Sequence, residues 1–306
     1  MAAEPFRINY AHIADPLKEV PKAITNHING DKRDELRSIH MTLPTIVKWT
    51  VGVAASTYAG VLHLCGEDDN NPDRRLKTIV CVPPLSRAIL ENLFNLIFVF
   101  DSPEANARWY LASAWLDARQ EYLGLVERHG QDPEYQGWLA SYAQMVEDMA
   151  RDAEISVQEA KDTGLIRRWP LPSQMSKGQK TGGLDTTEDP KRRDFLRHLH
   201  KWYYGALSAD AHLSGLGFAR RGGLVFDGAA TKDLELRLYQ NFFQTLTLFV
   251  ALLSEVVGQL RLFHDSVRLR EVWAHISKWP EAKELFGLRY DEWLPGNPIV
   301  LPPDNG

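Results

Sequence analysis

The stretch PPLSRAILENLFNLIFVF, residues 83–100, decides the fold of this 306-residue chain. When it is turned at about 100° per residue, as in an α-helix, its apolar side chains cover nearly the whole circumference. Such a distribution is typical of an internal helix. The side chains are Leu85, Ile89, Leu90, Leu93, Phe94, Leu96, Ile97 and Phe98. Other long segments also repeat at helical spacing, so the sequence predicts an all-α helical bundle.

Composition places the chain among ordinary globular proteins, with 44% hydrophobic and 25% charged residues. Its net charge of -5 argues against a general nucleic-acid or membrane surface. The two cysteines, Cys65 and Cys81, fit neither a zinc pattern nor a disulfide framework. The first 20 residues contain acidic side chains and no apolar core of the kind that a secretory signal needs. We therefore expect a cytoplasmic protein without a membrane partner.

Two apolar runs approach the length of a membrane span. Trp49 to Cys65 has no formal charge, but it contains several hydroxyl side chains and falls short of the usual length of about 20 residues. Thr245 to Leu260 is interrupted by Glu255. Both runs are predicted to be buried helices.

About six main helices are predicted from the periodicity and from the turn residues between them. They are Arg33 to Leu64, Pro84 to Phe100, Pro103 to His129, Asp132 to Thr163, Pro190 to Ser214 and Thr231 to His264. The segment 164–189, rich in Pro, Gly, Lys and Thr, is predicted to be a long surface loop between the fourth and fifth helices, either functional or disordered. The expected organisation is an N-terminal segment 1–30, one bundle domain 31–265, and a C-terminal helix with a proline-rich tail, 266–306.

A polar stripe runs along the apolar helix. Arg87, Glu91 and Asn95 follow each other at intervals of four and lie beside Phe94 and Phe98. Buried charges need partners, and an internal ion pair between Arg87 and Glu91 is one interpretation. The other is that the stripe faces a cleft, where a guanidinium binds an anion and a carboxylate orients it or moves a proton.

A second helix carries a matching set of polar residues. In an α-helical projection of residues 192–214, the apolar face consists of Phe195, Leu199, Trp202, Ala206 and Leu213. The broadly opposite side consists of Arg193, Arg197, His200, Lys201, Tyr204, Ser208 and His212. This side is either a solvated face or a surface for an anion, a phosphate or a nucleic-acid backbone.

These motifs together carry a family resemblance. An apolar helix with R-x-x-x-E (Arg87 and Glu91) and a later Y-x-x-x-S-x-x-x-H (Tyr204, Ser208 and His212), preceded by WP at residues 169–170, resembles the bacterial domain-of-unknown-function family numbered fifty-six seventy-seven. The resemblance covers roughly residues 36–260. It implies an all-helical protein in which the two motifs share a site.

A shorter motif resembles the HEPN ribonucleases, small helical enzymes that pair their motifs across a dimer groove and cleave RNA without a metal. RDFLRH, from Arg193 to His198, fits their arginine-to-histidine signature, and REVWAH at residues 270–275 fits a relaxed form. Along a continuous α-helix, Arg193 and His198 lie about 140° apart, whereas Arg193 and His200 share a face. The resemblance implies an RNA substrate and a homodimer.

Metal and cofactor sites are not indicated. The histidines are scattered, and no H-E-x-x-H, paired-Cys, G-x-G-x-x-G or G-x-S-x-G signature occurs. We expect no cofactor and no metal.

We predict a polar site where the Arg87 helix meets the Tyr204 helix. Arg87 would bind an anionic group, Glu91 would hold Arg87 or His212, and His212 would transfer a proton. The predicted ligand-binding residues are Tyr204, Ser208 and Arg197. Three classes stay open: a ligand-binding or regulatory protein, for example of stress or phage defence; a HEPN-like ribonuclease that uses Arg193 with His198 or His200; and a structural protein without catalysis.

Overall fold

The computed structural model describes residues 11–66, 72–177, 190–211, 231–291 and 294, and the regular secondary structure of these residues is helical without a strand. The all-α prediction is confirmed at that level. The helices are α1 (Ala11–Asn29), α2 (Arg33–Ile39), α3 (Leu43–Gly66), α4 (Pro72–Asp101), α5 (Pro103–His129), α6 (Gln136–Asp152), α7 (Val157–Lys161), α8 (Pro172–Lys177), α9 (Pro190–His198), α10 (Gly205–Ala211), α11 (Thr231–Leu260), α12 (Phe263–Ile276) and α13 (Pro280–Leu285). A 3-10 turn, Pro133–Tyr135, precedes α6, and π-helical turns occupy Leu199–Tyr204 and Phe286–Tyr290.

The centre of the bundle is the packing of α4 against α11, with α3 against both. Seven of the eight residues that the apolar pattern of α4 placed inside are buried, Ile89, Leu93 and Phe94 among them, and Leu85 is half-buried. Tyr58 of α3 stacks on Phe249 of α11, with ring centroids 4.4 Å apart. The stretch that predicts the fold is therefore also its central helix.

The N-terminal and C-terminal parts belong to the same core. α1 contributes a fully apolar face at helical spacing, and this face packs against α3, α11 and α12. Its buried residues are Ile13, Leu17, Val20, Ile24 and Ile28. α12 contributes Trp273 and the final π-turn contributes Tyr290 to the same apolar cluster.

One buried ion pair ties the C-terminal π-turn to the central helix α11. Glu255 is fully buried, and Arg289 donates to it from Nε and from Nη2 at 2.8 Å each. The Arg289 guanidinium also lies 5.4 Å from the Phe195 ring centroid. The charge that interrupts the apolar run of α11 is therefore neutralised by a residue 34 positions later in the chain.

The prediction of six helices is wrong because two predicted helices are interrupted and further short helices occur. The helix predicted from Arg33 to Leu64 breaks around His40, whose ring nitrogen Nδ1 lies 2.8 Å from the Thr42 hydroxyl. The helix predicted from Asp132 to Thr163 breaks at Glu154, which has a φ of 51°, outside the range of an α-helix. Ser156 then starts α7 with a capping box. Side chains that bond the backbone locally compete with a continuous helix.

The prediction of a surface loop over 164–189 is wrong for its first half. Ile166 and Met175 are buried, and the backbone N–H of Trp169 donates to Ser113 Oγ at 2.8 Å. The indole of Trp109 donates to the carbonyl of Arg167 at 2.9 Å. These apolar residues follow no regular period, so the sequence pattern did not reveal them. Residues 178–189 lie outside the described residues.

The two apolar runs differ in their burial. In α11, the stretch Tyr239–Leu260 is long and apolar enough to span a membrane by length and composition, and 83% of its window is buried inside the protein. In α3, one face is buried, but the opposite face is open to solvent, where the side chain of Trp49 is 70% exposed. The prediction of a buried helix is therefore confirmed for the second run and wrong for half of the first.

A smaller apolar cluster joins α5, α6 and α7, and an ion pair between Arg108 and Glu159 links α5 to α7. Both carboxylate oxygens of Glu159 accept from Nη2 of Arg108, at 2.8 and 2.9 Å. Glu159 also accepts from the backbone N–H of Ser156 at 2.8 Å. Arg108 first, and the Ser156 backbone second, lower the pKa of Glu159 to about 2.

We predict that Glu159→Gln lowers the free energy of unfolding by about 1 kcal/mol at pH 7, because it weakens an ion pair and a capping box together. The folded-state pKa is depressed, so this stabilisation is complete above the unfolded value of about 4.3. It is lost as the pH falls towards about 2. Urea unfolding from pH 7 to pH 2 should show the two proteins converging over that window. Glu127→Gln, an exposed substitution on α5, is the control. A difference that is independent of pH would contradict the assignment.

Candidate functional site

Arg87 of α4 lies against the π-turn and α10. Its Nε donates to Glu91 Oε1 at 2.8 Å, and its Nη2 donates to Tyr204 Oη at 3.0 Å. Its Nη1 lies 3.5 Å from Ser208 Oγ, at the long limit of a hydrogen bond. The Arg87 side chain is 18% exposed. We call Arg87, Glu91, Tyr204 and Ser208 the Arg87 cluster.

The ring of Tyr204 is held on several sides. Phe94 meets it edge-on, with centroids 6.4 Å apart, and His200 stacks on it at 5.4 Å. The Arg87 guanidinium carbon lies 5.1 Å from the ring centroid. Because an aromatic ring packed in this way has few alternatives, the Tyr204 hydroxyl keeps its position beside Arg87.

The π-turn Leu199–Tyr204 is what directs these residues towards α4. A π-turn bonds residue i to i+5, so it takes more residues per turn than an α-helix and rotates everything that follows. Leu199, Tyr203 and Leu207 are all buried, four residues apart. Trp202, which the α-helical projection assigns to the apolar face, is 58% exposed. That assignment was wrong because it assumed a continuous α-helix.

The remaining members of the predicted site are not all part of this cluster. Arg197 is exposed, and its Nη1 lies 3.3 Å from Asp194 Oδ1 on the same helix. His212 lies outside the described residues. The proton-transfer role of His212 and the ligand-binding role of Arg197 stay predictions.

The residues of the ribonuclease motif face different surroundings. His198 is half-buried, and its Nδ1 lies 3.4 Å from Glu284 of α13. Burial lowers the pKa of His198, and Glu284 opposes that shift. His200 instead stacks on Tyr204 beside the Arg87 cluster, while Arg193 is half-buried. Ribonuclease activity through Arg193 with His198 or His200 stays a prediction.

A contact that the sequence reasoning did not identify covers the other end of the polar stripe. The indole of Trp169 donates to Asn95 Oδ1 at 2.8 Å. The Trp169 ring packs edge-on against Phe98, Trp109 and Tyr110, with centroids 5.0 to 5.2 Å apart. The tryptophan of the WP dipeptide was the available signal, since a buried indole needs an acceptor and Asn95 supplies one.

The two hydroxyl groups of the Arg87 cluster, on Tyr204 and Ser208, can each donate a hydrogen bond to a ligand. Each hydroxyl faces Arg87 with its oxygen and carries a proton of its own. In the part of the chain that the structure describes, the hydroxyls of Tyr204 and Ser208 have no acceptor for those protons. A cation with two adjacent hydroxyl donors is a set that suits an oxyanion.

Among the described residues, no group of three or more His, Cys, Asp or Glu side chains is arranged to hold a metal ion. The cluster itself offers one carboxylate, Glu91, and this carboxylate is already bonded to Arg87.

Comparisons of the chain with protein-family models, with curated proteins and with solved structures find no match. The two family resemblances drawn from short motifs stay predictions.

We predict unequal coupling of Arg87 to the two hydroxyls. Double-mutant cycles with Arg87→Met should give about 1 kcal/mol with Tyr204→Phe, because that bond is 3.0 Å long and charge-assisted. With Ser208→Ala they should give under about 0.5 kcal/mol, because 3.5 Å is too long for a strong bond. Urea unfolding of the four proteins in each cycle measures both values. Equal couplings, or a larger one for Ser208, would show that Tyr204 does not hold the guanidinium.

Proposed function

We propose that this protein binds a small anionic ligand, a carboxylate or a phosphate, at the Arg87 cluster, and that it acts as a ligand-binding or regulatory protein of the cytoplasm. The observation that carries the proposal is the pair of hydroxyl donors, Tyr204 and Ser208, beside a partly exposed guanidinium. An anion placed there receives hydrogen bonds from neutral groups as well as charge from Arg87.

The roles within the cluster follow from which edge of Arg87 each residue occupies. Glu91 bonds the Nε edge, whereas Tyr204 and Ser208 lie at Nη2 and Nη1. A ligand would approach from the hydroxyl side, because Glu91 repels an anion on its own side. Glu91 is thus the residue that orients Arg87, and Tyr204 and Ser208 are the residues that orient the ligand.

Isothermal titration calorimetry with inorganic phosphate and with succinate tests the proposal. Arg87→Met should weaken binding at least about tenfold, since removal of a hydrogen-bonded charge costs on the order of 1.5–3 kcal/mol. Arg128→Met, at an exposed arginine on α5 outside the cluster, is the matched control and should bind as the unmodified protein does.

Glu91→Gln should change the affinity for anions in the opposite direction to Arg87→Met. The Gln side chain can still accept from Nε of Arg87, but its negative charge is gone, so affinity for either anion should rise a few-fold. If neither anion binds at millimolar concentration, or if Arg87→Met binds as well as the control, the cluster is a structural contact between two helices.

A further inference from the structure

A run of five aromatic rings lies on the surface of the hairpin that α5 and α6 form. Each ring contacts the next, and consecutive ring centroids are 4.4 to 6.3 Å apart. In order, the residues are His129, Tyr135, Trp138, Tyr142 and Tyr122, and we call them the aromatic run. Trp138 is 47% exposed and Tyr135 is 39% exposed, so part of the aromatic surface is open to solvent.

Apolar side chains extend this surface on both helices. Leu123 and Val126 on α5 are exposed, and so is Met145 on α6. A groove of about 270 Å³ lies between the two helices, and Tyr122 and Leu123 form part of its lining. Exposed apolar side chains that are clustered, rather than scattered singly, are typical of an interaction surface.

The same hairpin carries the net charge of the whole molecule. Residues 117–152, from the middle of α5 to the end of α6, contain eight acidic and three basic side chains. Their net charge of -5 equals that of the complete chain, so the remaining residues are neutral in sum. An aromatic surface in a negative field attracts cations and repels nucleic acids.

The carboxylates beside the aromatic run are not neutralised by cations of the hairpin. Glu127 on α5, Glu134 in the turn before α6, and Glu147 on α6 are exposed and form no ion pair with any residue that the structure describes. Glu121 lies beside the hydroxyl of Tyr142. Desolvation first, and the negative charge of Glu121 second, raise the pKa of Tyr142. A cation from outside the described residues therefore meets both rings and unpaired carboxylates on one hairpin.

An arginine of the chain already lies on an aromatic ring in the groove. The guanidinium carbon of Arg119 is 5.7 Å from the ring centroid of Trp115, and both residues line the groove. A guanidinium in this position is attracted by the negative face of the ring. Arginine suits such a contact better than lysine, because its guanidinium is planar and more weakly hydrated than an ammonium group.

We propose that the aromatic run is the docking site for an arginine-bearing segment of another protein. Arginine side chains of that segment stack on Trp138 and Tyr135 and pair with Glu127 and Glu134, while its apolar side chains cover Leu123. Each exposed ion pair contributes little, so affinity depends on the stacking contacts and the ion pairs together. This surface is separate from the Arg87 cluster, which we propose as a site for anions, and each proposal is tested independently of the other.

Fluorescence anisotropy with labelled nona-arginine, nona-lysine and nona-glutamate tests the proposal, at about 50 mM salt, where exposed charges are weakly screened. Nona-arginine should bind a few-fold more tightly than nona-lysine, which has the same charge, and nona-glutamate should not bind. Equal binding of the two basic peptides, or no binding of nona-arginine, overturns the proposal. The second outcome includes the case in which another segment of the same chain covers the rings.

Trp138→Ala separates stacking from general attraction to an acidic surface, because it leaves every charge in place. It should weaken nona-arginine binding at least about threefold and reduce the preference for nona-arginine over nona-lysine. Trp49→Ala, at an exposed tryptophan on α3, is the matched control and should bind as the unmodified protein does. Unchanged binding by Trp138→Ala overturns the proposal.

Glu134→Gln tests the ion pairs. It should weaken the binding of both basic peptides about two- to fivefold, since one exposed ion pair is lost. Glu271→Gln, at an exposed glutamate on α12, is the matched control and should leave the binding unchanged. If the two variants bind nona-arginine equally well, the arginine segment does not pair with the carboxylates of the hairpin, and the proposal is wrong.

Discussion

The structure depends on the need to pair three polar side chains on a helix that is buried almost all round. α4 carries the half-buried Arg87, Glu91 and Asn95 beside fully buried residues such as Leu90 and Phe94, and a polar group left unpaired against that apolar surface is unfavourable. Arg87 is bonded by Glu91 and Tyr204, and Asn95 by the indole of Trp169. Arg87 and Asn95 thereby fix which distant segment covers which part of α4. Apolar packing holds the bundle together, and these contacts specify how its outer segments dock.

The sequence predicted what depends on local spacing. The internal helix and the all-α class follow from intervals of three and four, whereas the expectation that Arg87 meets Tyr204 and Ser208 came from the family resemblance and not from spacing. What it missed depends on contacts far apart in the chain. Trp202 was misplaced because tertiary packing favours a π-turn that no local pattern signals. Residues 166–177 have no period and are ordered by Ser113 and Trp109. α3 is apolar on both faces, and composition alone could not distinguish its buried face from its exposed one.

Glu91 has opposing effects on the site that we propose. It fixes the guanidinium of Arg87 before any ligand arrives, which lowers the entropic cost of binding. It also places a negative charge beside a site for anions, which weakens the attraction. A site of this kind binds anions more weakly, but it holds the bound anion in a defined orientation. It therefore favours ligands whose geometry matches the two hydroxyls of Tyr204 and Ser208 over ligands that offer charge alone.

The buried pair of Glu255 and Arg289 has a consequence for the order in which the chain becomes folded during synthesis. α11 leaves the ribosome well before residue 289, and until then its carboxylate has no guanidinium to accept from. Burying Glu255 alone would be strongly unfavourable, so the nascent bundle cannot close around α11. The π-turn Phe286–Tyr290 thus keeps the central helix from being enclosed until residue 289 has left the ribosome.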